Sequence, residues 1–329
     1  MVLVFNNDSD ALQQWLESAS APVAAAFVEK YIRNPSNMAN FWLYFGIFTV
    51  IFPFGLVGNI LTLIVMCTPT MRRRSYSVYL LVLSLFDLTM VAFNSIGWIN
   101  IVSILVTGPI AITFRTTSSC MAIEFFHDLG IMGGSWFIVM ISFERLLIVH
   151  WPIKSRLICS VNSARIIAVF VTGFSVAFSI WTATRVDYWS GYSCYFPEKD
   201  RALDHYLSVI FYFFVPVPLL TIFNICIVTK IFRSKNMGNS ERKDENITKV
   251  TITMMIVSTV FLICLLPVAF VVSLLVAIPH DQQEQLGLSN AMQVCEIILA
   301  VNYCCNFYIY TITGGEIRQA VVKLICPRR

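Results

Sequence analysis

Seven apolar segments, each close to the length needed to cross a bilayer, constrain this chain more than any other feature. They cover residues 42–67, 77–106, 118–150, 162–184, 206–233, 249–278 and 291–313. A helix needs about 20 apolar residues to cross the hydrocarbon core, because each residue adds only about 1.5 Å of rise. With 57% hydrophobic and 13% charged residues, the chain has too little polar surface to cover a water-soluble fold. The sequence therefore predicts an all-α membrane protein, a bundle of seven transmembrane helices.

Basic residues predict how these spans are oriented. With the amino terminus outside, 17 of the 23 Lys and Arg residues lie at inner ends of spans and 6 at outer ends. Because basic residues are enriched on the cytoplasmic side, this orientation is favoured. We expect residues 1–41 to be extracellular, residues 42–313 to form the transmembrane domain and residues 314–329 to be cytoplasmic. The protein would be a multi-pass protein of the plasma membrane.

Three features lie outside the spans. Asn7 begins an Asn-Asp-Ser glycosylation sequon, which matters only if this end is extracellular. Residues 1–40 lack the pattern of a removable signal peptide. After a Gly-Gly pair, residues 316–326 carry an apolar stripe at helical spacing, which predicts a short amphipathic helix on the inner membrane surface. Cys326 in this helix is a candidate for palmitoylation, and a free surface thiol is the alternative.

Polar side chains inside spans are costly in lipid unless they have a partner or face water. Four of them lie mid-membrane, in the first, second and seventh spans: Asn59, Asp87, Asn302 and Asn306. One cluster could hold all four around water or a cation, although a packing network of hydrogen bonds explains the same residues. We expect no organic cofactor and no metal centre, since the four histidines are dispersed along the chain.

Several different short motifs follow one another along most of the chain. They are Gly58-Asn59, Leu83-Ser84-Leu85-Phe86-Asp87, Cys120, Arg145, Cys194, Pro216, Phe261, Cys264-Leu265-Leu266-Pro267 and Asn306-Phe307-Tyr308-Ile309-Tyr310. No single motif is specific, but their order and spacing resemble the rhodopsin-like (class A) G-protein-coupled receptors. The Asn-Phe-x-x-Tyr ending of the seventh span is similar to invertebrate neuropeptide receptors of the FMRFamide-receptor kind.

The resemblance implies roles for many of these residues. Cys120 would form a disulfide bond with Cys194 in the second outer loop, and the four mid-membrane polar residues would bind sodium and water. An activation switch would open the inner face towards a heterotrimeric G protein. The switch residues would be Glu144, Arg145, Phe261, Pro267 and Tyr310. We therefore expect a receptor in a lipid bilayer, not an enzyme, with no nucleic-acid partner.

Five positions depart from the family pattern. The residues that stand in place of the usual ones are Leu146, Phe170, Leu265, Asn224 and Phe307. Three of them, Leu146, Leu265 and Asn224, replace an aromatic Tyr or Trp with a non-aromatic side chain, and Phe170 stands about where the fourth span usually has Trp. Phe307 stands where the seventh-span motif has Pro. These departures concern the path of activation and not the architecture.

Acidic residues predict the class of ligand. Glu124 and Asp128 are four residues apart near the outer end of the third span, so a helix places them on one face. His127 lies beside them, and Glu296 lies in the outer half of the seventh span. In the favoured orientation 13 of the 19 acidic residues lie in the outer half, so its field should attract cations. We expect a cationic peptide, unless these carboxylates pair with arginines of the outer loops and merely hold those loops. The candidate arginines are Arg115, Arg185 and Arg201.

Other classes of function remain open. The ligand could be a small molecule, or the protein could be an orphan or chemosensory receptor. A transporter would show internal repeats and interrupted helices, and none is visible. A hydrolase would need a nucleophile near a base, and the Gly-Gly-Ser at 133–135 has no obvious histidine partner. A retinal pigment would need a Schiff-base lysine, and residues 291–313 contain no lysine.

Overall fold

The computed structural model describes residues 35–107, 116–189, 193–195, 206–236, 242–278 and 287–326. Its elements, in chain order, are α1 (Pro35–Met66), α2 (Ser75–Thr107), α3 (Thr117–His150), α4 (Pro152–Ile158), α5 (Val161–Ala183), β1 (Asp187–Trp189), β2 (Ser193–Tyr195), α6 (Pro216–Asn236), α7 (Arg242–Ala277), α8 (Leu288–Thr313) and α9 (Gly315–Ile325). A 3₁₀ turn covers Met71–Arg73, and a π-helical segment, Ile210–Phe214, precedes α6. The predicted sequon at Asn7 lies outside the described residues.

Seven helices are long and apolar enough to cross a membrane. The candidate spans are Phe45–Met66, Ser75–Ile96, Thr117–His150, Val161–Ala183, Tyr206–Arg233, Ile247–Leu275 and Asn290–Thr313. Each span begins within three residues of the start of the corresponding predicted segment. The seven-helix bundle is therefore confirmed. The short helix predicted after the seventh span is confirmed as α9. The division into outer, membrane and inner segments stays a prediction.

Local chemistry explains where several helices begin and end. Thr116 caps α3, because its Oγ1 accepts from the Ser119 amide at 3.1 Å while the Ser119 hydroxyl accepts from the Thr116 amide at 3.2 Å. Ser160 caps α5 by accepting from the Ser163 amide at 3.1 Å. Gly314 has extended backbone geometry and separates α8 from α9. The predicted Gly-Gly break therefore lies at the expected place.

The third span, α3, is the centre of the bundle, because α2, α5 and α6 all pack against it. Close approach to α2 depends on small residues. A Cβ on Gly133 would lie 2.6 Å from ring atoms of Phe86, and one on Gly130 would lie 2.5 Å from the sulfur of Met90. Gly133 therefore serves the packing of α3 against α2.

A two-stranded hairpin and α9 complete the described fold. β1 and β2 pair antiparallel, with Tyr188 opposite Cys194. Strands of three residues carry too little pattern to be predicted from sequence. In α9, Ile317 and Ala320 are buried against the bundle, while Val322 and Leu324 are exposed. The apolar stripe of α9 is therefore shared between the bundle and the surroundings.

Candidate functional site

The N-terminal end of α3 and the hairpin are joined covalently. Cys120, in the first turn of α3, forms a disulfide bond with Cys194 of β2, and their Cα atoms are 5.5 Å apart. Beside this bond, the Thr117 hydroxyl donates to the Asp187 carboxylate at 2.7 Å. The predicted disulfide is present, and it holds the hairpin at the N-terminal end of the third span.

Glu124, His127 and Asp128 form a tight group, here called the outer cluster. One ligand-capable atom from each residue lies within 4.8 Å of the other two. Asp128 is buried, and its Oδ1 lies 3.5 Å from Nδ1 of His127. Glu124 and His127 are partly exposed. The structure thus brings together three of the four residues predicted to bind the ligand, on one face of α3.

Residues from three other spans surround the outer cluster. The Phe93 ring of α2 packs on the His127 imidazole with centroids 4.6 Å apart. Glu296 of α8 lies within electrostatic range of His127. The Tyr212 hydroxyl lies beside Asp128, yet it makes no hydrogen bond of good geometry with any described residue. The outer cluster and its surroundings therefore combine three carboxyl groups with one imidazole and one phenol.

The outer cluster also bears on the alternative that outer-loop arginines neutralise it. The guanidinium of Arg185 lies 4.2 Å from the ring centroid of Trp181. Among the described residues, these carboxylates make one short ion pair, which joins Asp128 to His127. Arg115 and Arg201 lie outside the described residues. Trp98 of α2 donates to the Thr49 hydroxyl at 2.9 Å and stacks on Phe45.

The four mid-membrane polar residues are all buried, and they fit a bound cation in part. Asp87 accepts from the Asn306 amide at 2.8 Å, so these two are brought together. Asn59 donates to the carbonyls of Gly55 and Tyr303, both at 2.9 Å, and so ties α1 to α8. The side-chain oxygen of Asn302 has no partner among the described residues. Asp87 and Asn302 therefore supply oxygen atoms suited to sodium, whereas Asn59 acts as a structural donor.

At the other end of α3, Glu144 and Arg145 form a buried ion pair of 2.8 Å. The Arg145 guanidinium lies 5.4 Å from the ring centroid of Tyr76. Oε1 of Glu144 and Nε of Arg145 have no hydrogen-bond partner among the described residues. Burial, together with the negative charge of Glu144, raises the pKa of the nearby Cys159 thiol to about 11. The pair is thus desolvated but incompletely satisfied.

Contacts of Tyr76 extend this pair to α9, and sequence analysis did not find them. The Tyr76 hydroxyl donates to Oε2 of Glu316 at 2.8 Å, and Arg74 donates to Oε1 of Glu316 at 2.9 Å. No local pattern could have revealed this connection, because Tyr76 and Glu316 are 240 residues apart in the chain. A polar path therefore links Arg145 to the helix after the seventh span.

The remaining predicted switch residues lie in the core. Phe261 and Tyr310 are almost fully buried, and Pro267 lies inside α7. Asn224, one of the departures from the family pattern, accepts from the Ser258 hydroxyl at 3.0 Å and so joins α6 to α7. Cys326 is exposed, which a palmitoylated thiol requires, and its modification stays a prediction.

Comparison with known proteins gives consistent matches. The family model described as 7 transmembrane receptor (rhodopsin family) matches residues 58–310. The FMRFamide receptor of Drosophila melanogaster is 22% identical, over 91% of this chain and 57% of the receptor. Somatostatin receptor type 5 of Bos taurus is 24% identical, over 84% and 74% of the two chains. Galanin receptor 2b of Danio rerio is 23% identical, over 90% and 77%.

These matches confirm the similarity to FMRFamide receptors and extend it. The vertebrate somatostatin and galanin receptors are as similar to the chain as the insect protein is. The chain spans just over half the length of the FMRFamide receptor that it matches.

Proposed function

The chain belongs to the rhodopsin family of seven-transmembrane receptors, and from this premise we propose that it binds an extracellular cationic peptide and activates a heterotrimeric G protein. The observation that carries the ligand class is the outer cluster, with Glu124 and buried Asp128 on one helix face and Glu296 nearby. An arginine or an amino terminus of a peptide complements such a group, because charge-assisted hydrogen bonds to carboxylates are short and strong. The relatives named for FMRFamide, somatostatin and galanin support a peptide.

The decisive measurement is nucleotide exchange on purified G proteins, with purified receptor and a panel of arginine-containing peptides. For the best agonist, Glu124→Gln should reduce potency by about 10–100-fold, since a hydrogen bond to a charged group contributes about 1.5–3 kcal/mol. Glu124→Asp keeps the charge and is the matched control, which should lose less. Replacing the peptide arginine by neutral citrulline should abolish the difference between the Gln variant and the parent.

Two outcomes would contradict the ligand proposal. If the Gln variant and the parent respond equally to the arginine peptide, the carboxylate does not bind it. If no peptide activates exchange but a small acid or lipid does, the ligand class is wrong while the receptor proposal stands. A transporter would instead move a solute and leave exchange unchanged.

The second part of the proposal concerns the inner switch. In the resting state Glu144 would restrain Arg145, and activation would release the arginine towards a G protein. Removing one partner of a buried ion pair costs about 3–5 kcal/mol, because the other charge stays unpaired. Glu144→Gln should therefore raise basal exchange, whereas Arg145→Ala should abolish agonist-driven exchange at equal surface expression. Unchanged exchange in both variants would exclude the switch.

The inner surface also offers a place for the G protein. Ile153 and Leu157 are both 82% exposed and lie four residues apart on α4, so they form one apolar ridge. In the proposed orientation this ridge lies on the cytoplasmic side, because α4 directly follows the inner end of α3. Ile153→Ser should weaken coupling without changing peptide affinity, and a loss of affinity instead would contradict an interface role.

The proposed sodium site has two side chains that could hold the ion. Asp87 and the unpartnered oxygen of Asn302 would hold the ion, which would supply a positive charge beside a buried carboxylate. Asp87→Asn should then remove any dependence of peptide affinity on sodium, measured against choline at equal ionic strength. A dependence that persists in the variant would place the ion elsewhere.

A further inference from the structure

The outer cluster has the composition and spacing of a transition-metal site. Glu124, His127 and Asp128 stand at positions i, i+3 and i+4 of α3, so a straight helix presents them together. Their ligand-capable atoms lie within 4.8 Å of one another. Two ligands on one tetrahedral zinc ion lie about 3.3–3.6 Å apart, given bonds of about 2.0–2.2 Å. The 3.5 Å between Nδ1 of His127 and Oδ1 of Asp128 already matches that separation.

A second observation points to a ligand at the same place. Tyr212 is only 5% exposed, and its hydroxyl is buried without a hydrogen-bond partner of good geometry among the described residues. That hydroxyl lies beside Asp128. The hydroxyl lies near Asp128 and Ser208 but meets neither in good hydrogen-bond geometry, and an incompletely satisfied buried phenol costs free energy. A metal ion with its bound water would give the phenol an acceptor and would orient the Asp128 carboxylate.

The surroundings would also hold the imidazole in place. Phe93 packs on the ring of His127 from α2, which restricts its rotation. Glu296 approaches from α8 and adds a further negative charge within range of His127. Like charges that share a mostly buried place are unfavourable, so such carboxyl groups are stabilised either by a proton or by a cation. A divalent ion would relieve this repulsion more fully than a protonated histidine.

The donor set selects the kind of ion. Calcium and magnesium prefer oxygen ligands alone, whereas an imidazole with two carboxylates suits zinc. Three protein ligands would leave one position for water or for an incoming group, as in zinc sites that exchange a ligand. The same three residues are those proposed to bind a cationic peptide. Zinc and the peptide would therefore exclude each other.

We propose that Glu124, His127 and Asp128 form a zinc-binding site, with the Tyr212 hydroxyl as a supporting donor, and that bound zinc competes with cationic ligands. The metal site stands without the peptide. Only the competition rests on the proposed function.

Direct binding of Zn²⁺ to the purified full chain tests the site. Cysteines would first be blocked with N-ethylmaleimide, because exposed Cys67 and Cys326 could bind zinc themselves. Calorimetric titration should then show one saturable site. His127→Phe keeps an aromatic ring against Phe93 but removes a ligand, so it should weaken binding by about tenfold or more. His150→Phe, on the same helix but away from the cluster, is the matched control and should bind zinc normally.

Variants are compared only if the disulfide and the thermal midpoint are preserved. Glu124→Gln is the second test should His127→Phe not fold, because Glu124 lies at a partly exposed position. Tyr212→Phe should weaken binding less than either. Absence of saturable binding, or equal binding by the parent and both ligand variants, would overturn the site.

Competition is tested separately with the best activating peptide. Zinc at ten times its dissociation constant should raise the half-maximal peptide concentration about tenfold by mass action. The shift should disappear in a variant that has lost zinc binding but still responds to the peptide. If zinc binds with no shift, the competition is wrong and the metal site remains. If zinc does not bind, the peptide experiments still test the proposed ligand class independently.

Discussion

Gly133 lies where the ring of Phe86 meets the third span. An added Cβ would lie 2.6 Å from three ring atoms, far inside normal contact distance. Gly134→Ala is the matched control, because its Cβ would have no neighbour within 4 Å.

We expect Gly133→Ala to destabilise the bundle by about 1–3 kcal/mol through overpacking. Gly134→Ala should be neutral or stabilising, since alanine is favoured over glycine in helices by about 1 kcal/mol. Thermal unfolding of the two purified variants measures the difference. Equal midpoints would show that α2 and α3 can move apart at no cost.

Cys159 reports on the buried ion pair, although it lies between two spans. Its thiol has a pKa raised to about 11, first by burial and then by the charge of Glu144, with Arg145 acting in the opposite direction. Only the thiolate reacts with alkylating reagents, and a free thiol has a pKa of about 8.5.

At pH 8, Cys159 should therefore react on the order of a hundredfold more slowly than an ordinary exposed thiol, and its rate should keep rising well above pH 9. Glu144→Gln should speed the reaction by removing a negative charge. Mass spectrometry of alkylated peptides follows each cysteine separately. A slower reaction in the Gln variant would show that Glu144 does not raise this pKa.

Individual residues were predictable where the pattern was local. The shared face of Glu124 and Asp128 follows from helical spacing. The disulfide bond of Cys120 follows from the family motif in which this residue stands. Contacts between distant segments were not predictable. Sequence gave no means to see that Tyr212 faces Asp128, or that Phe86 makes Gly133 a packing residue.

At the scale of elements, one carboxylate of α9 makes two polar contacts with the bundle, in addition to the packing of Ile317 and Ala320. Glu316 accepts from buried Tyr76 and from Arg74, whose side chain is 51% exposed. The two bonds should differ in strength. An exposed ion pair contributes about 0–1 kcal/mol, whereas a buried hydrogen bond to a charged group contributes about 1.5–3 kcal/mol.

Tyr76→Phe should therefore loosen α9 more than Arg74→Gln does. The Phe variant keeps an aromatic ring near Arg145, so any change can be assigned to the lost hydroxyl. Hydrogen–deuterium exchange over residues 315–325 measures the loosening. A larger effect from Arg74→Gln would mean that the exposed pair, and not the tyrosine, holds α9.

The existence of α9 could be predicted from its apolar stripe and the preceding glycines, but its attachment could not. The same holds for the β1–β2 hairpin, because strands of three residues leave no alternating pattern. The capped starts of α3 and α5 show the reverse case, since Ser and Thr at these positions are local features that sequence already displays.

At the scale of the whole molecule, seven spans follow directly from the length and apolarity of the segments. The orientation of the bundle in the membrane does not follow from its spans, because its internal contacts are the same in both orientations. Charge alone favours an outer amino terminus. In that orientation 17 of the 23 basic residues lie at the inner ends of the spans and 6 at the outer ends.

Two exposed cysteines make this orientation testable in living cells. Cys67 follows the first span and Cys326 follows α9, so both should lie inside. A membrane-impermeant maleimide should label neither on intact cells and both after permeabilisation, with mass spectrometry identifying the labelled peptides. An epitope tag at the amino terminus should be stained on intact cells, which also shows that the protein has reached the plasma membrane. Labelling of Cys67 or Cys326 without permeabilisation would invert the bundle and would place the outer cluster, with its proposed ligands, on the cytoplasmic side.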